Sequence, residues 1–97
     1  GAAPIFAHGA HLRELGLNCN RLASVPPSVR GMARLKELYL GNNQIDEIKE
    51  VINLKELQRL IILDISGNNL IREENYRIYC IFHLRRLRVL DGLSIEN

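Results

Sequence analysis

The 97-residue chain has no tryptophan and only two cysteines, Cys19 and Cys80, without the spacing of a disulfide framework. It also has no Asn-x-Ser/Thr acceptor for N-linked glycans. A secreted domain of this size usually carries several disulfides, so these absences predict an intracellular protein, cytoplasmic or nuclear. No apolar run approaches the roughly 18 residues of a membrane-spanning helix, and no membrane partner is expected.

The chain also has little excess of either charge, because 13 basic and 11 acidic residues leave a formal charge of +2. That balance does not indicate a bulk polyelectrolyte partner. The motifs of common active sites are missing as well, among them G-x-S-x-G, H-E-x-x-H and a phosphate-binding loop. We therefore expect no catalytic site, no cofactor and no small-molecule substrate, and the chain is predicted not to be an enzyme.

His8 and His11 have the i, i+3 spacing of two ligands on one helix face. A zinc site needs at least a third protein ligand, and none lies near in sequence. We interpret the pair as loop histidines and predict no metal site.

One pattern is present and repeated. The segments 12–22, 35–45 and 60–70 each read L-x-x-L-x-[LI]-x-x-N-x-[LI], and a truncated fourth copy begins at Leu87. The copies start at positions 12, 35, 60 and 87, so the spacings are 23, 25 and 27 residues. A pattern that recurs every 20–29 residues or so is the signature of leucine-rich repeats.

The pattern also predicts the geometry of each copy. Side chains alternate along a strand, so the fourth and sixth positions enter one core while the third, fifth and seventh face outward. The Asn that follows each strand (Asn20, Asn43, Asn68) can satisfy backbone groups of the turn, and we expect these residues to form a structural ladder from coil to coil. The predicted fold is an α/β leucine-rich-repeat solenoid: a right-handed β-α superhelix of three full repeats plus a C-terminal cap. A short parallel sheet should line its concave face.

The segments that connect the end of one strand to the start of the next are called returns, and the three returns differ in their patterns. In the first, Pro26-Pro27 favours extended backbone, and a helical turn over residues 28–33 capped by Ser28 is possible. In the second, the spacing of Ile48, Ile52, Leu54 and Leu57 predicts a short helix. In the third, Ile78, Ile81 and Phe82 recur near the helical period and predict a helix of about three turns. Three other residues of this helix, Tyr76, Tyr79 and Cys80, are expected to pack in the cap.

These patterns divide the chain into three parts. Residues 1–11 are either a lid over the first coil or a cloning remnant. Residues 12–92 form the leucine-rich-repeat domain, with the cap at 71–92, and residues 93–97 are a tail.

The cap carries a family resemblance. The run Asn75-Tyr76-Arg77, with Ile81, Leu84, Leu87 and Leu90-Asp91-Gly92, resembles the C-terminal cap of intracellular leucine-rich-repeat proteins of the U2 small nuclear ribonucleoprotein A-prime, dynein light chain 1 and tubulin-cofactor E type. One departure is Arg85, where the family often has proline. The resemblance implies a binding scaffold, and it is equally compatible with a spliceosomal, cytoskeletal, phosphatase-regulatory or ciliary role.

The outward strand positions predict a partner-binding site on the concave face, at Glu14, Glu37, Tyr39, Ile62, Asp64 and Val89. An exposed tyrosine beside an exposed isoleucine has the composition of a binding hot spot, although Tyr39 could instead cover neighbouring strand backbone. The carboxylates favour a partner with Lys or Arg, or they belong to a solvated face. Asp91 lies in the turn of the cap and is interpreted as structural.

Two alternatives to this protein-interaction module remain open. The first is an RNA- or ribonucleoprotein-associated module, or a site for an acidic partner, that uses Arg85, Arg86 and Arg88, with Arg72 and Arg77 nearby. Against it, Glu73 and Glu74 intervene and no stacking aromatic is interleaved, which favours a solvated and partly ion-paired end face. The second alternative is a structural segment that caps a longer repeat protein.

Overall fold

The computed structural model describes residues 11–96, in which short strands alternate with short helical segments. The elements are β1 (Glu14–Gly16), α1 (Pro27–Arg30), β2 (Glu37–Tyr39), α2 (Glu50–Asn53), a 3-10 turn (Leu54–Glu56), β3 (Ile62–Asp64), a second 3-10 turn (Asn69–Arg72), α3 (Tyr76–His83), β4 (Val89–Leu90) and β5 (Leu93–Ser94). The proposed lid, apart from its last residue, and His8 of the histidine pair lie outside the described residues.

All five strands form one sheet in the order in which they occur in the chain. β1 to β4 are parallel, and their register places Leu15, Leu38, Leu63 and Leu90 in one row. Parallel neighbours need a crossover connection, which the helical segments supply. This arrangement confirms the predicted leucine-rich-repeat fold. β5 pairs antiparallel with β4, so residues 93–94, assigned from sequence to the tail, extend the sheet.

The core lies behind the sheet, between the strands and the helical segments. Leu38, Leu63 and Leu90 are fully buried, whereas Leu15 on the first strand is only half-buried. Full burial of a leucine side chain contributes about 1.5–3 kcal/mol, so the first coil gains less from packing than the inner coils do.

Prolines begin the first helical segment rather than preceding it. Pro27 is the first residue of α1, and Pro26, with φ −57° and ψ 134°, occupies the capping position. A proline fits there because its fixed φ is helical and the missing N–H needs no partner in the first turn. The predicted helical turn is therefore present, but it begins at Pro27 and the prediction that Ser28 caps it was wrong.

The second return forms a short helix as predicted and buries Leu54 and Leu57, but Val51 rather than Ile52 completes its buried face. α2 has four residues and continues as a 3-10 turn, with Val51, Leu54 and Leu57 buried. Ile52, on which the predicted helix relied, is 38% exposed.

Helix α3 presents Ile78 and Phe82 outward. It spans eight residues, a little over two turns rather than three, and it buries Tyr76 and Cys80. Their burial confirms that these two residues pack in the cap. Ile78 and Phe82 are 67% and 68% exposed, so the apolar stripe that predicted the helix does not face the core.

The rotation of α3 follows from polar contacts of its buried face. The Tyr76 hydroxyl donates to Oδ2 of Asp91 at 2.6 Å, and Asp91 Oδ1 accepts from the Ile65 N–H at 2.7 Å. Burial and this hydrogen bond raise the pKa of Tyr76 far above its ordinary value. Arg77 donates to the backbone oxygens of Leu90 and Ser94, at 3.3 and 3.1 Å. These bonds tie α3 to β4 and β5 on the side that carries Tyr76.

Asparagine side chains join consecutive coils at the ends of the strands. Asn43 Oδ1 accepts from the N–H groups of Asn20 and Leu22, at 2.8 and 2.9 Å. Asn68 repeats the arrangement one coil later, because its Oδ1 accepts from the Ile45 N–H at 3.0 Å and its Nδ2 donates to the Leu40 oxygen at 2.9 Å. The Asn20 side chain is exposed, and its Nδ2 donates within its own coil to the Asn18 oxygen.

A left-handed residue precedes each of these asparagines. Cys19, Asn42 and Gly67 have φ values of 60°, 54° and 71°. At Gly67 a Cβ atom would clash with the side chain of Asn42 in the preceding coil. The positive φ and this close approach together explain the glycine in the third turn.

Candidate partner-binding face

The side chains on the sheet face opposite the core form rows set by the strand register. This surface is called the concave face. One row contains Glu14, Glu37, Ile62 and Val89, and the next contains Gly16, Tyr39 and Asp64. The structure thus brings all six of the residues predicted for partner binding onto one face.

Tyr39 is held in place by a hydrogen bond along its own strand. Its hydroxyl donates to Oε1 of Glu37 at 2.6 Å, and the side chain is half-buried. The bond to Glu37, desolvation, and the negative charges of Glu37, Glu14 and Asp64 raise the pKa of Tyr39 to about 12. Tyr39 is therefore a neutral donor with a fixed orientation across the physiological pH range.

An open notch lies beside Tyr39. Gly16 is its register neighbour on β1, and a Cβ atom at Gly16 would meet no heavy atom within 4 Å. Since Ile62 is paired with Glu37, it lies diagonally from Tyr39 rather than directly opposite, within reach of a ring that leans toward Glu37. The notch leaves the β1 side of the tyrosine open, while Asp64 is its register neighbour on β3.

The carboxylates of the face each keep acceptor capacity. Asp64 Oδ1 accepts from the N–H and the hydroxyl of Ser66, at 3.0 and 2.6 Å. No hydrogen bond from residues 11–96 reaches Asp64 Oδ2 or Glu37 Oε2. A partner's cation could therefore bind Asp64 and Glu37 without breaking an existing contact.

Positive charge is segregated from this face. Its rows contain no Lys or Arg, whereas Arg13, Lys36 and Arg88 occupy the positions just before β1, β2 and β4. Within the described part of the chain the two ion pairs are Arg30 with Glu56 and Lys49 with Glu47, both away from the sheet. Within residues 11–96 the carboxylates of the concave face thus form no ion pair.

Other kinds of site find little support in residues 11–96. In that range no group of three or more His, Cys, Asp or Glu side chains could hold a metal ion. None of its helices has the length and apolarity to cross a bilayer. Cys80 is fully buried, and burial raises the pKa of its thiol to about 12, while Cys19 is exposed.

The family model described as "Leucine-rich repeat" matches residues 5–96. The chain belongs to the leucine-rich-repeat family. Two curated relatives are the U2 small nuclear ribonucleoprotein A' of Arabidopsis thaliana, 33% identical over 94% of this chain and 37% of the relative, and human leucine-rich repeat-containing protein 51, 33% identical over 99% and 50%. The chain thus spans half or less of the length of these relatives. The sequence resemblance to the A-prime type is confirmed.

Solved structures show the same fold. The leucine-rich-repeat domain of Mex67 from Chaetomium thermophilum superimposes with a TM-score of 0.78 at 21% identity, covering 88% of this chain and 59% of that one. The Drosophila melanogaster SNF/U2A' complex matches with a TM-score of 0.57 at 22% identity, covering 100% and 69%.

The seventh positions were expected on this face, but two of their contacts were not predicted. Ser66 fixes the Asp64 carboxylate, and Asn18 Oδ1 accepts from the Gly41 N–H at 2.7 Å on the same face. Both residues occupy the seventh position of their repeats, directly after the strand, where a small polar side chain is the only available signal.

Proposed function

We propose that this chain is a non-catalytic protein-interaction module that binds a helix or loop of a partner protein across its concave face, with Lys or Arg of the partner facing the carboxylates. The observation that carries the proposal is the oriented Tyr39 among Glu14, Glu37 and Asp64, with no cation on the same face of the described chain. The relatives named above, one of them a component of a small nuclear ribonucleoprotein, support an intracellular interaction role.

The dimensions of the face suit a helix. Adjacent strands lie about 4.8 Å apart, so β1 to β4 span roughly 14 Å. A helix with its side chains is about 10–12 Å wide and could lie across all four strands. Such a partner would cover Tyr39 near the middle and place its flanks over Glu14 and Val89.

Tyr39 is suited to anchor the partner. Its hydroxyl is already bonded to Glu37, so binding would cost less side-chain entropy than ordering a free tyrosine would. Loss of a central tyrosine anchor typically costs more than 2 kcal/mol, or about 30-fold in affinity. The carboxylates would contribute mainly to the rate of association and to the choice of partner.

The test is affinity capture from a eukaryotic lysate, comparing the parent chain with a Tyr39→Ala, Asp64→Arg variant. The matched control is Phe82→Ala, Glu74→Arg, which makes the same chemical changes at exposed positions outside the sheet. Circular dichroism verifies that both variants fold. We expect one set of proteins to be captured by the parent and by the control but lost from the concave-face variant, with or without nuclease.

Other outcomes would favour the alternatives. Capture that survives the Tyr39 and Asp64 changes would rule out the concave-face proposal. Capture that disappears with nuclease would favour an RNA-associated module. Capture of nothing by any form would favour a structural cap of a longer repeat protein.

A further inference from the structure

We propose that a second surface, separate from the concave face, binds a short acidic peptide segment that carries aliphatic side chains. This surface is a groove of about 550 Å³ at the amino ends of the strands, and it is called the basic groove. Five cations line it, namely Lys36, Arg59, Arg85, Arg86 and Arg88, around an apolar floor that includes Ile61, Ile81 and Ile95.

The backbone aligns one side of the groove. The Ile61 N–H donates to the Lys36 oxygen at 2.8 Å, and the Arg88 N–H donates to the Ile61 oxygen at 2.7 Å. These three residues therefore occupy equivalent positions in successive coils, at intervals of about 4.8 Å. Ile61 therefore has a cationic residue on each side, Lys36 in the preceding coil and Arg88 in the next.

A tight turn supplies two more cations. The Leu87 N–H donates to the Leu84 oxygen at 3.1 Å, and both leucines are buried. Arg85 and Arg86 are the two residues between them and are exposed. Because the leucines on either side are buried in the core, the backbone of this turn is anchored and places Arg85 and Arg86 at the groove.

The five cations of the groove form no ion pair with residues 11–96. Among these residues no Asp or Glu lines the basic groove, and the carboxylate in the adjoining pocket, Glu56, pairs with Arg30 at 3.5 Å. The partly ion-paired end face expected from sequence is therefore not what these residues form. Arg72 and Arg77 do not line the groove, and Arg77 is engaged with backbone oxygens of β4 and β5.

The floor favours a peptide over a nucleic acid. Proteins that bind single strands stack bases on aromatic rings, and none of the aromatic side chains in residues 11–96 lines this groove. Ile61, Ile81 and Ile95 are half-buried and offer aliphatic contact area instead. A cavity of this volume is in the range that encloses a small ligand or a few side chains. Guanidinium groups also match carboxylates in a bidentate geometry, which fits Glu or Asp beside Leu or Ile.

The test measures binding of a fluorescent probe peptide in which glutamates flank two leucines. Anisotropy titrations compare the parent chain with Arg85→Glu, Arg86→Glu and with the control Arg21→Glu, Arg72→Glu. The control changes the net charge equally at exposed residues that do not line the groove. Circular dichroism checks each fold, and Lys36→Glu on a different element provides an independent groove variant.

We expect saturable binding that weakens about tenfold or more in Arg85→Glu, Arg86→Glu, weakens in Lys36→Glu, and changes little in the control. A peptide with serine in place of leucine should bind more weakly, and one with lysine in place of glutamate should not bind. Tyr39→Ala, Asp64→Arg should leave binding unchanged, which separates this proposal from the concave-face function.

Several results would overturn the proposal. These are no saturable binding, equal losses in groove and control variants, or equal binding of the serine peptide. Tighter binding of single- or double-stranded RNA through the same arginines would assign the groove to nucleic acid. Concentration-dependent dimers, seen by light scattering and lost in Arg85→Glu, Arg86→Glu, would assign it to a second copy of this chain.

Discussion

Replacing Asn68 by alanine tests how far the asparagine ladder stabilises the solenoid. The Asn68 side chain is 3% exposed, and its Nδ2 donates to the Leu40 and Ile65 oxygens, both at 2.9 Å. Its Oδ1 accepts from the Ile45 N–H at 3.0 Å. Alanine removes these bonds and offers no polar atom in their place.

The cost can be estimated from the groups left without a partner. The Leu40 oxygen keeps a second donor, Asn43 Nδ2 at 2.9 Å, so the loss falls on the Ile45 N–H and the Ile65 oxygen. A buried polar group without a partner costs about 1–3 kcal/mol. We expect Asn68→Ala to lower the free energy of unfolding by about 4 kcal/mol, a large share of the ~5–15 kcal/mol of a typical domain.

Asn43→Ala provides the informative comparison, because this side chain makes five hydrogen bonds against four for Asn68. The donors it would strand, the N–H groups of Asn20 and Leu22, lie in the outermost described coil, where Asn20 is exposed and Leu22 half-buried. Water can replace the lost partner there, so we expect a cost of about 1–2 kcal/mol. Asn20→Ala should cost less than about 0.5 kcal/mol.

Urea unfolding followed by circular dichroism measures these differences, and similar slopes in all variants would validate the comparison. If Asn43→Ala proved as costly as Asn68→Ala, the number of bonds rather than exclusion of water would determine the effect. A cost below about 1 kcal/mol for Asn68→Ala would refute the argument that the ladder stabilises the fold.

Three further predictions concern single side chains. The pKa of Tyr39 is raised from 10.0 to about 12 in the folded protein, so the neutral phenol stabilises the fold below pH 10.0 and this stabilisation should be lost as the pH rises to about 12. Tyr39→Phe should remove the tyrosine ionisation near pH 12 from an ultraviolet pH titration. Cys19 should react with a thiol reagent in the native protein while Cys80, buried and with a raised pKa, reacts only after unfolding; two fast thiols would contradict the structure. Gly67→Ala should lower stability by about 1–3 kcal/mol in a thermal melt, because of the positive φ and the clash with Asn42; an unchanged melting temperature would disprove the clash.

The strands and their register were predictable because every coil of the solenoid repeats the same pattern of buried and outward-facing positions. Leu38, Leu63 and Leu90 occupy the same position in each copy, and equal positions in successive coils must pair. The buried face of α3 was not predictable in this way. Ile78 and Phe82 are more apolar than Tyr76, yet Tyr76 is buried because its hydroxyl has a partner in Asp91, 15 residues further along the chain. Counting apolar residues along a helix cannot reveal such a partner.

The same limit applies to the two candidate surfaces. The alternation of strand positions is sufficient to predict that Tyr39 and Asp64 lie on the concave face. It could not show that Glu37 fixes the tyrosine or that Asp64 keeps a free oxygen. The basic groove combines Lys36 and Arg59 from earlier coils with the cap arginines, and only the stacking of coils brings them together.

The contacts that hold successive coils together are of unequal strength, and this difference has a mechanical consequence. The half-buried leucines of the first coil and the exposed Asn20 make its attachment weaker than that of the last coil, which Tyr76, Asp91 and β5 secure. Among the described coils, the one that carries β1 should therefore yield first under tension, releasing about 23 residues or up to roughly 80 Å of contour length. A force–extension trace would show this as a small early step. The strands that carry Tyr39 and Asp64 would remain folded, so the molecule could lengthen while this part of the proposed concave-face site stayed intact.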